Sequence, residues 1–251
     1  MQPRHDRALL LHGAKRNAIL TLAEVQQYGI DSFGDTDYVR LYGMVPAAWY
    51  ARGIRILGRT AVECTRDALA DRMGRDIAAA AAMLPSPVVI DPFSGSCNTL
   101  HWILRHVPQA DGIACELDAQ VHALTRGNLE RLELKIELIH EDYEVLLANR
   151  QLPPGRGLIV FVAPPWGNAL DESAGLDLRG TMPPVAGIIG QFTSRYADRP
   201  LLFATQVYEK VDAGSLAELR ALFDWSDLRV YDLDAPGRNH GILLGTKSWK
   251  P

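Results

Sequence analysis

The sequence predicts an α/β protein: a doubly wound, mostly parallel sheet with an antiparallel C-terminal hairpin, preceded by a helical N-terminal extension. Three observations carry this. From residue 88 onward, short β-rich runs alternate with helical stretches, as βαβ units require. The last two runs are joined only by Asp234-Ala235-Pro236-Gly237-Arg238-Asn239, too short for a crossover helix, so they are expected to pair antiparallel at one end of the sheet. The 251 residues, 47% of them apolar, suffice for one or two domains with a sizeable core.

In chain order, Thr60-Ala61-Val62-Glu63 reads as a capping box that opens a helix running toward Leu84. Pro85 and Pro87 stop it. The expected strands then follow at 88–91, 112–116, 135–140, 158–163, 201–208, 228–233 and 241–246. Residues 1–84 are read as a helical N-terminal extension or lid, and 85–251 as the α/β domain.

Charge and cysteine content narrow the function. The net charge is −4, against the basic footprint that gripping a long nucleic-acid backbone needs. Residues 1–85 carry 11 basic and 9 acidic side chains and the remainder 15 and 21, so the slight positive excess lies in the N-terminal part. A small site for a mononucleotide or other compact ligand is compatible with this balance. Cys64, Cys97 and Cys115 show neither CxxC nor metal-ligand spacing, which predicts no disulfide framework and no metal site. The short apolar run Ala8-Leu9-Leu10-Leu11 lies between charges. No signal peptide, no membrane contact and a cytoplasmic location are therefore expected.

In doubly wound sheets, ligands sit beyond the carboxyl ends of the strands. The first strand ends in Asp91-Pro92-Phe93-Ser94-Gly95-Ser96-Cys97-Asn98-Thr99, a small-residue turn that lets a ligand approach backbone amides at a helix start. Gly95 is its only glycine, so the G-x-G-x-x-G dinucleotide fingerprint is absent; GxxxxGK[ST], HExxH and GxSxG are absent too. What remains is a carboxylate at the strand tip, Asp91, and a second, Glu116, ending the next strand where a ribose-binding acid belongs.

These residues resemble the motifs of class I S-adenosylmethionine (SAM)-dependent methyltransferases, the amino-methylating members above all. DPFSGSCNT is similar to their first motif, IACELD (residues 113–118, with Glu116 and Leu117) to the second, HEDY (residues 140–143, with Asp142 and Tyr143) to the third, and APPW (residues 163–166) to the fourth, in family order. The resemblance implies a Rossmann-like fold and SAM as cofactor. It implies that Asp91 and the backbone of Ser94, Gly95 and Ser96 hold the methionine end, with Pro92, Phe93, Asn98 and Thr99 also in the cofactor site. By the same resemblance Glu116 accepts from both ribose hydroxyls, beside Leu117, and Asp142 with Tyr143 faces the adenine. Cys97 stands where the family prefers glycine, and a side chain there is expected to narrow the floor of the site.

The apolar run ending at Ala163-Pro164-Pro165-Trp166 points to the reaction. Consecutive prolines cannot donate to a sheet and hold the chain extended, presenting carbonyl oxygens at the strand end. Carbonyls accepting from a planar amine orient its lone pair at a methyl group, and an aromatic ring fixes its plane by stacking; Trp166 is the expected platform. The PPW form resembles the trimethylguanosine synthase group most. The expected activity is N-methylation of a planar amino or ring nitrogen, in a small molecule by slight preference or in an RNA guanine. O- or C-methylation, or a non-catalytic SAM-binding module, are the alternatives.

Other constellations are weaker. Tyr38, Tyr42, Trp49 and Tyr50 form an aromatic cluster, read either as an acceptor-stacking surface or as packing between lid and sheet. Tyr42, Trp49 and His240 join Trp166 as substrate-binding candidates, and His140 and His240 could serve as bases. Arg52, Arg55 and Arg59 would share one helix face if their segment were helical.

Overall fold

The computed structural model describes residues 6–171, 173–234 and 238–251. Its strands are β1 (Val88–Asp91), β2 (Asp111–Cys115), β3 (Ile136–Ile139), β4 (Leu158–Val162), a small hairpin of β5 (Leu170–Asp171) and β6 (Gly175–Leu176), then β7 (Leu201–Tyr208), β8 (Trp225–Tyr231) and β9 (His240–Lys247). Seven of them form one sheet in the order β3-β2-β1-β4-β7-β9-β8. Pairing is parallel from β3 to β7, whereas β9 runs antiparallel to both β7 and β8. The predicted doubly wound sheet with an antiparallel C-terminal pair is what the chain adopts.

Strand alternation divides the core in two. In β4, Ile159 and Phe161 face one layer, and Leu158, Val160 and Val162 face the other. A strand buried on both faces reads as a continuous apolar run, as LIVFV does. Helices α8 (Tyr143–Asn149), α9 (Val185–Arg195) and α10 (Ala213–Arg220) line the second layer. The first layer joins the N-terminal helices α1 (Arg7–Leu11), α2 (Leu22–Phe33), α3 (Pro46–Ala51), α4 (Gly58–Glu63) and α5 (Asp67–Ala80) to α6 (Asn98–His106) and α7 (Ala119–Arg131). One continuous cluster runs from Leu10 and Trp49 to Val89 and Leu244, so the N-terminal helices are cemented to the sheet by shared apolar burial.

Three expectations need correction. The helix expected to open at Thr60 is two helices: Thr60 lies inside α4, and Cys64 leaves the helix with extended dihedrals. The break has a structural cause. It frees the Thr65 carbonyl to accept from Asn98 Nδ2 (2.8 Å) and puts Asp67 Oδ1 within reach of Asn98 Nδ2 (3.1 Å) and Trp102 Nε1 (2.7 Å). The arginine stripe fails because α3 ends at Ala51; Arg55 instead bonds the Tyr50 and Ile54 carbonyls, and Arg59 pairs with Asp118 at 2.6 Å. The eighth strand starts at Trp225, three residues before the expected Leu228. Residues 235–237 of the connecting turn, and 1–5 of the segment read for a signal peptide, lie outside the described residues. No helix among those described is long and apolar enough to cross a membrane.

Candidate functional site

Strand order reverses between β1 and β4, and the crevice beyond their carboxyl ends gathers the predicted residues. Asp91 is 2% exposed. Its Oδ1 accepts from Phe93 N (3.1 Å), which ties the turn to the strand tip. Burial, followed by the nearby charge of Glu116, pushes its carboxyl up to about 7 despite that hydrogen bond. Such a carboxylate, with one backbone donor among the described residues, is matched chemically by a ligand cation.

The turn is built as a cradle. Ser94 N and Oγ both donate to the Cys115 carbonyl (3.0 and 2.9 Å), joining β1 to β2. Gly95 has φ +49°, and a Cβ built on it would meet nothing within 4 Å, so open space lies above it. Its N–H donates to Glu116 Oε2 (3.0 Å), while Asp118 N donates to Oε1 (2.8 Å). Each Glu116 oxygen thus keeps a lone pair for a ligand hydroxyl, and burial raises its pKa. Cys97 also sits in the left-handed region, at φ 58°, a conformation that costs a non-glycine residue roughly 1–2 kcal/mol. Its side chain does not narrow the site as expected: it is fully buried in the first core layer.

Several predicted ligand residues act from behind the loop. Asn98 is buried and accepts from Tyr42 N (2.7 Å) while its amide bonds Thr65 and Asp67. The Tyr42 hydroxyl donates to the Ser96 carbonyl, and Thr99 is buried at the start of α6. Tyr42 is therefore a brace for the cradle, not a stacking surface. Trp49 is likewise corrected: it is 0% exposed and donates to the Val39 carbonyl at 3.0 Å, deep in the first layer. Tyr143 is buried as well, packed between Phe93 (5.3 Å) and Phe192 (6.3 Å), so its ring supports Phe93 where an adenine contact was expected. Pro92 is buried beneath the turn. Leu117 is exposed at the rim, and His140 stacks on His122 (4.8 Å) with its Nε2 3.1 Å from the Leu117 carbonyl. Asp142 caps α8 through Glu144 N (2.8 Å).

On the other side, β4 ends at Val162, and Ala163-Pro164-Pro165-Trp166 leads into a 3-10 turn over Gly167–Ala169. The half-buried Trp166 ring lies 5.2 Å from His240 and 6.5 Å from Tyr208. All three line a cavity of about 380 Å³ whose opposite wall is N-terminal: Tyr28, Phe33, Tyr38, Glu63 and Thr65. That volume suits a small-molecule site. The cavity's arginines are engaged: Arg66 pairs with Asp234 and lies over Tyr38, Arg238 bonds the Ser32 carbonyl beneath Phe33's face, and Arg7 also has partners. Among the described residues no cluster of His, Cys, Asp or Glu could hold a metal.

No protein-family model and no curated protein matches the sequence. Solved structures do. The methyltransferase domain of METTL16 superposes with TM-score 0.51 at 14% identity, covering 76% of this chain and 72% of that one. The chain has the class I methyltransferase fold. Cofactor-bound Rv0187 from MTB is similar over 81% of this chain and 90% of its own (14% identity, TM-score 0.49). An rRNA methylase from Streptococcus thermophilus is similar over 69% and 94% (16% identity, TM-score 0.43). Within this methyltransferase fold, sequence reasoning missed Gln206, Thr65 and Tyr208. Gln206 carried a signal: it is a polar residue in the all-buried strand LLFATQVY.

Proposed function

We propose that the protein is a SAM-dependent N-methyltransferase acting on a planar amino or ring nitrogen. One observation carries the reading: two carboxylates at adjacent strand ends, Asp91 and Glu116, flank an open glycine cradle, and Trp166 of the APPW segment lines a cavity of small-molecule size. Asp91 would hold the cofactor's ammonium, Glu116 its ribose, and Leu117 and Asp142 would border the adenine. The bound cofactor supplies an already activated methyl group. Ala163, Pro164 and Pro165 present backbone carbonyls that accept from the amine and orient its lone pair, and Trp166 fixes its plane. Residues 1–84 supply the facing wall, which makes the N-terminal extension part of the acceptor site. The near-neutral lining and engaged arginines favour a small-molecule acceptor over an RNA guanine.

Calorimetry with S-adenosylhomocysteine (SAH) tests the cofactor assignment. Glu116→Ala removes the acceptor for two ribose hydroxyls and also strands Gly95 N and Asp118 N. At roughly 1.5–3 kcal/mol for hydrogen bonds to a charged group, SAH affinity should fall about tenfold or more. Equal affinities for wild type and variant would remove Glu116 from the site.

Asp91 gives the site a pH dependence. Its folded-state carboxyl is raised to about 7 from 3.8, so its ionisation opposes folding: its contribution to stability is full below pH ~4 and is lost as pH rises toward 7. Pairing with an ammonium requires the ionised form. SAH should therefore bind about tenfold more tightly at pH 8 than at pH 6, and Asp91→Asn should bind weakly with a flat profile. A flat wild-type profile would contradict the pairing.

A further inference from the structure

A hydrogen-bond relay crosses the cavity wall from the N-terminal half to the sheet. Thr65 Oγ1, in the break between α4 and α5, donates to Gln206 Oε1 on β7 at 3.2 Å. Gln206 Nε2 then donates to Nδ1 of His240, at the start of β9, at 3.3 Å. Gln206 is 9% exposed and occupied at both ends. With the Gln206 amide in this orientation, its NH2 has no lone pair to offer, so Nδ1 is the accepting nitrogen and Nε2 carries the proton. Nε2 meets no protein partner among the described residues, and the ring lines the cavity 5.2 Å from Trp166.

We propose that Gln206 is a positioning residue that locks His240 as a neutral Nε2–H donor, and that this donor selects a planar methyl acceptor carrying a carbonyl oxygen near its amine. The inference rests on the methyltransferase reading for the identity of the ligand, but not for the tautomer. The logic is complementarity. Among the groups lining the cavity, the side chain of Glu63 offers an acceptor, whereas the cavity's arginines are already engaged with protein groups. The His240 N–H adds a donor to this lining, beside the Trp166 indole N–H, and a ligand lone pair that reaches it accepts its hydrogen bond. A buried donor left unpaired is costly, so a ligand lacking that lone pair is discriminated against. The ring also stays neutral at working pH. Burial lowers its pKa to about 4; Arg66 and Arg7 press in the same direction, against Asp234 and Glu209. His240 is thus a donor, not the general base that its residue type suggests.

The test begins with nuclear magnetic resonance of 15N-histidine-labelled protein, His240 being assigned by the signals lost in His240→Asn. Wild type should show one tautomer, protonated at Nε2, with no titration near the ordinary histidine value of about 6.5. Gln206→Glu should accept from Nδ1, move the proton to that nitrogen and raise the pKa. Should that buried variant fail to fold, Thr65→Val frees the amide to rotate and should mix the tautomers. An Nδ1–H tautomer or an ordinary titration in wild type would overturn the relay.

Binding is then measured with two neutral isosteres, 3-aminoacetophenone and 3-isopropenylaniline, with and without saturating SAH. The ketone should bind wild type about tenfold more tightly, although the alkene is the more apolar, and Gln206→Glu should erase that preference. Equal affinities in wild type, or no binding of either probe, would overturn the donor assignment. Failure of SAH itself to bind would strike the methyltransferase reading, and the tautomer measurement would stand apart from it.

Discussion

Trp166→Ala should lower kcat/KM for methyl transfer by about 10- to 1000-fold while leaving the protein folded and SAH affinity near that of wild type. Trp166 is half-buried at the end of the APPW segment and faces the cavity with Tyr208 and His240. Gly167, at φ +50° with open space where a Cβ would stand, lets the chain turn away behind it. Stacking of a flat acceptor contributes roughly 1–3 kcal/mol, and an amine released from its plane loses further rate through misalignment with the strand-end carbonyls. The cofactor cradle lies across the crevice on Asp91, Gly95 and Glu116, so its affinity reports independently that the crevice is intact. Thermal midpoint, SAH affinity and turnover on this one variant separate the possibilities. Near wild-type turnover in a folded, SAH-binding Trp166→Ala would remove the ring from the acceptor site.

The sheet was legible because both of its signals are local. Continuous apolar runs such as VVID and LIVFV, each followed within two residues by a proline, place strands and their carboxyl ends without knowledge of any partner. Asp91 and Glu116 follow from the same signal, since a strand-end acid is fixed by the strand that carries it. The N-terminal half resisted for the opposite reason. Thr60-Ala61-Val62-Glu63 has the residue types of a capping box, yet α4 ends there because Asn98, far along the chain, takes the Thr65 carbonyl and the Asp67 carboxylate. Long-range hydrogen bonds outweighed a local cap worth about 1 kcal/mol. The aromatic cluster allows two readings, and Tyr42 and Trp49 take the one of packing between the N-terminal part and the sheet. Tyr38, Tyr42, Trp49 and Tyr50 are close in sequence but divide among a cavity wall, a loop brace, a core and an Arg55 stack.

That division has a mechanical meaning for the site. The cradle after β1 is held from below by Tyr42 and Asn98, which bind the N-terminal segment to the Ser96 carbonyl and the start of α6. Thr65, one residue from the ion pair of Arg66 with Asp234, feeds the Gln206 relay. The same short break between α4 and α5 therefore touches both sides of the crevice, through Asn98 toward the cofactor cradle and through Gln206 toward the acceptor cavity. Shared apolar burial with the sheet keeps that break in register.

Trp49→Ala should do the reverse of Trp166→Ala: a stability loss of roughly 3–5 kcal/mol, with the folded fraction keeping its SAH affinity. For a chain of this length that loss corresponds to a fall of roughly 6–20 °C in thermal midpoint. Trp49 is among the largest fully buried side chains, it sits in α3, and its indole donates to the Val39 carbonyl at 3.0 Å. Truncation opens a large cavity in the first core layer and leaves that carbonyl without its donor. Trp49→Phe restores most of the volume but not the hydrogen bond, so its midpoint should fall between the two. The two tryptophans begin as equals, since both are large aromatics proposed to stack on an acceptor. Burial separates them: a ring with no exposed surface can lower its energy only through the fold, whereas a half-exposed ring at a strand end can still gain contacts from a ligand. An unchanged thermal midpoint for Trp49→Ala, accompanied by lost turnover, would return Trp49 to the acceptor site and require the N-terminal helices to open before substrate binds.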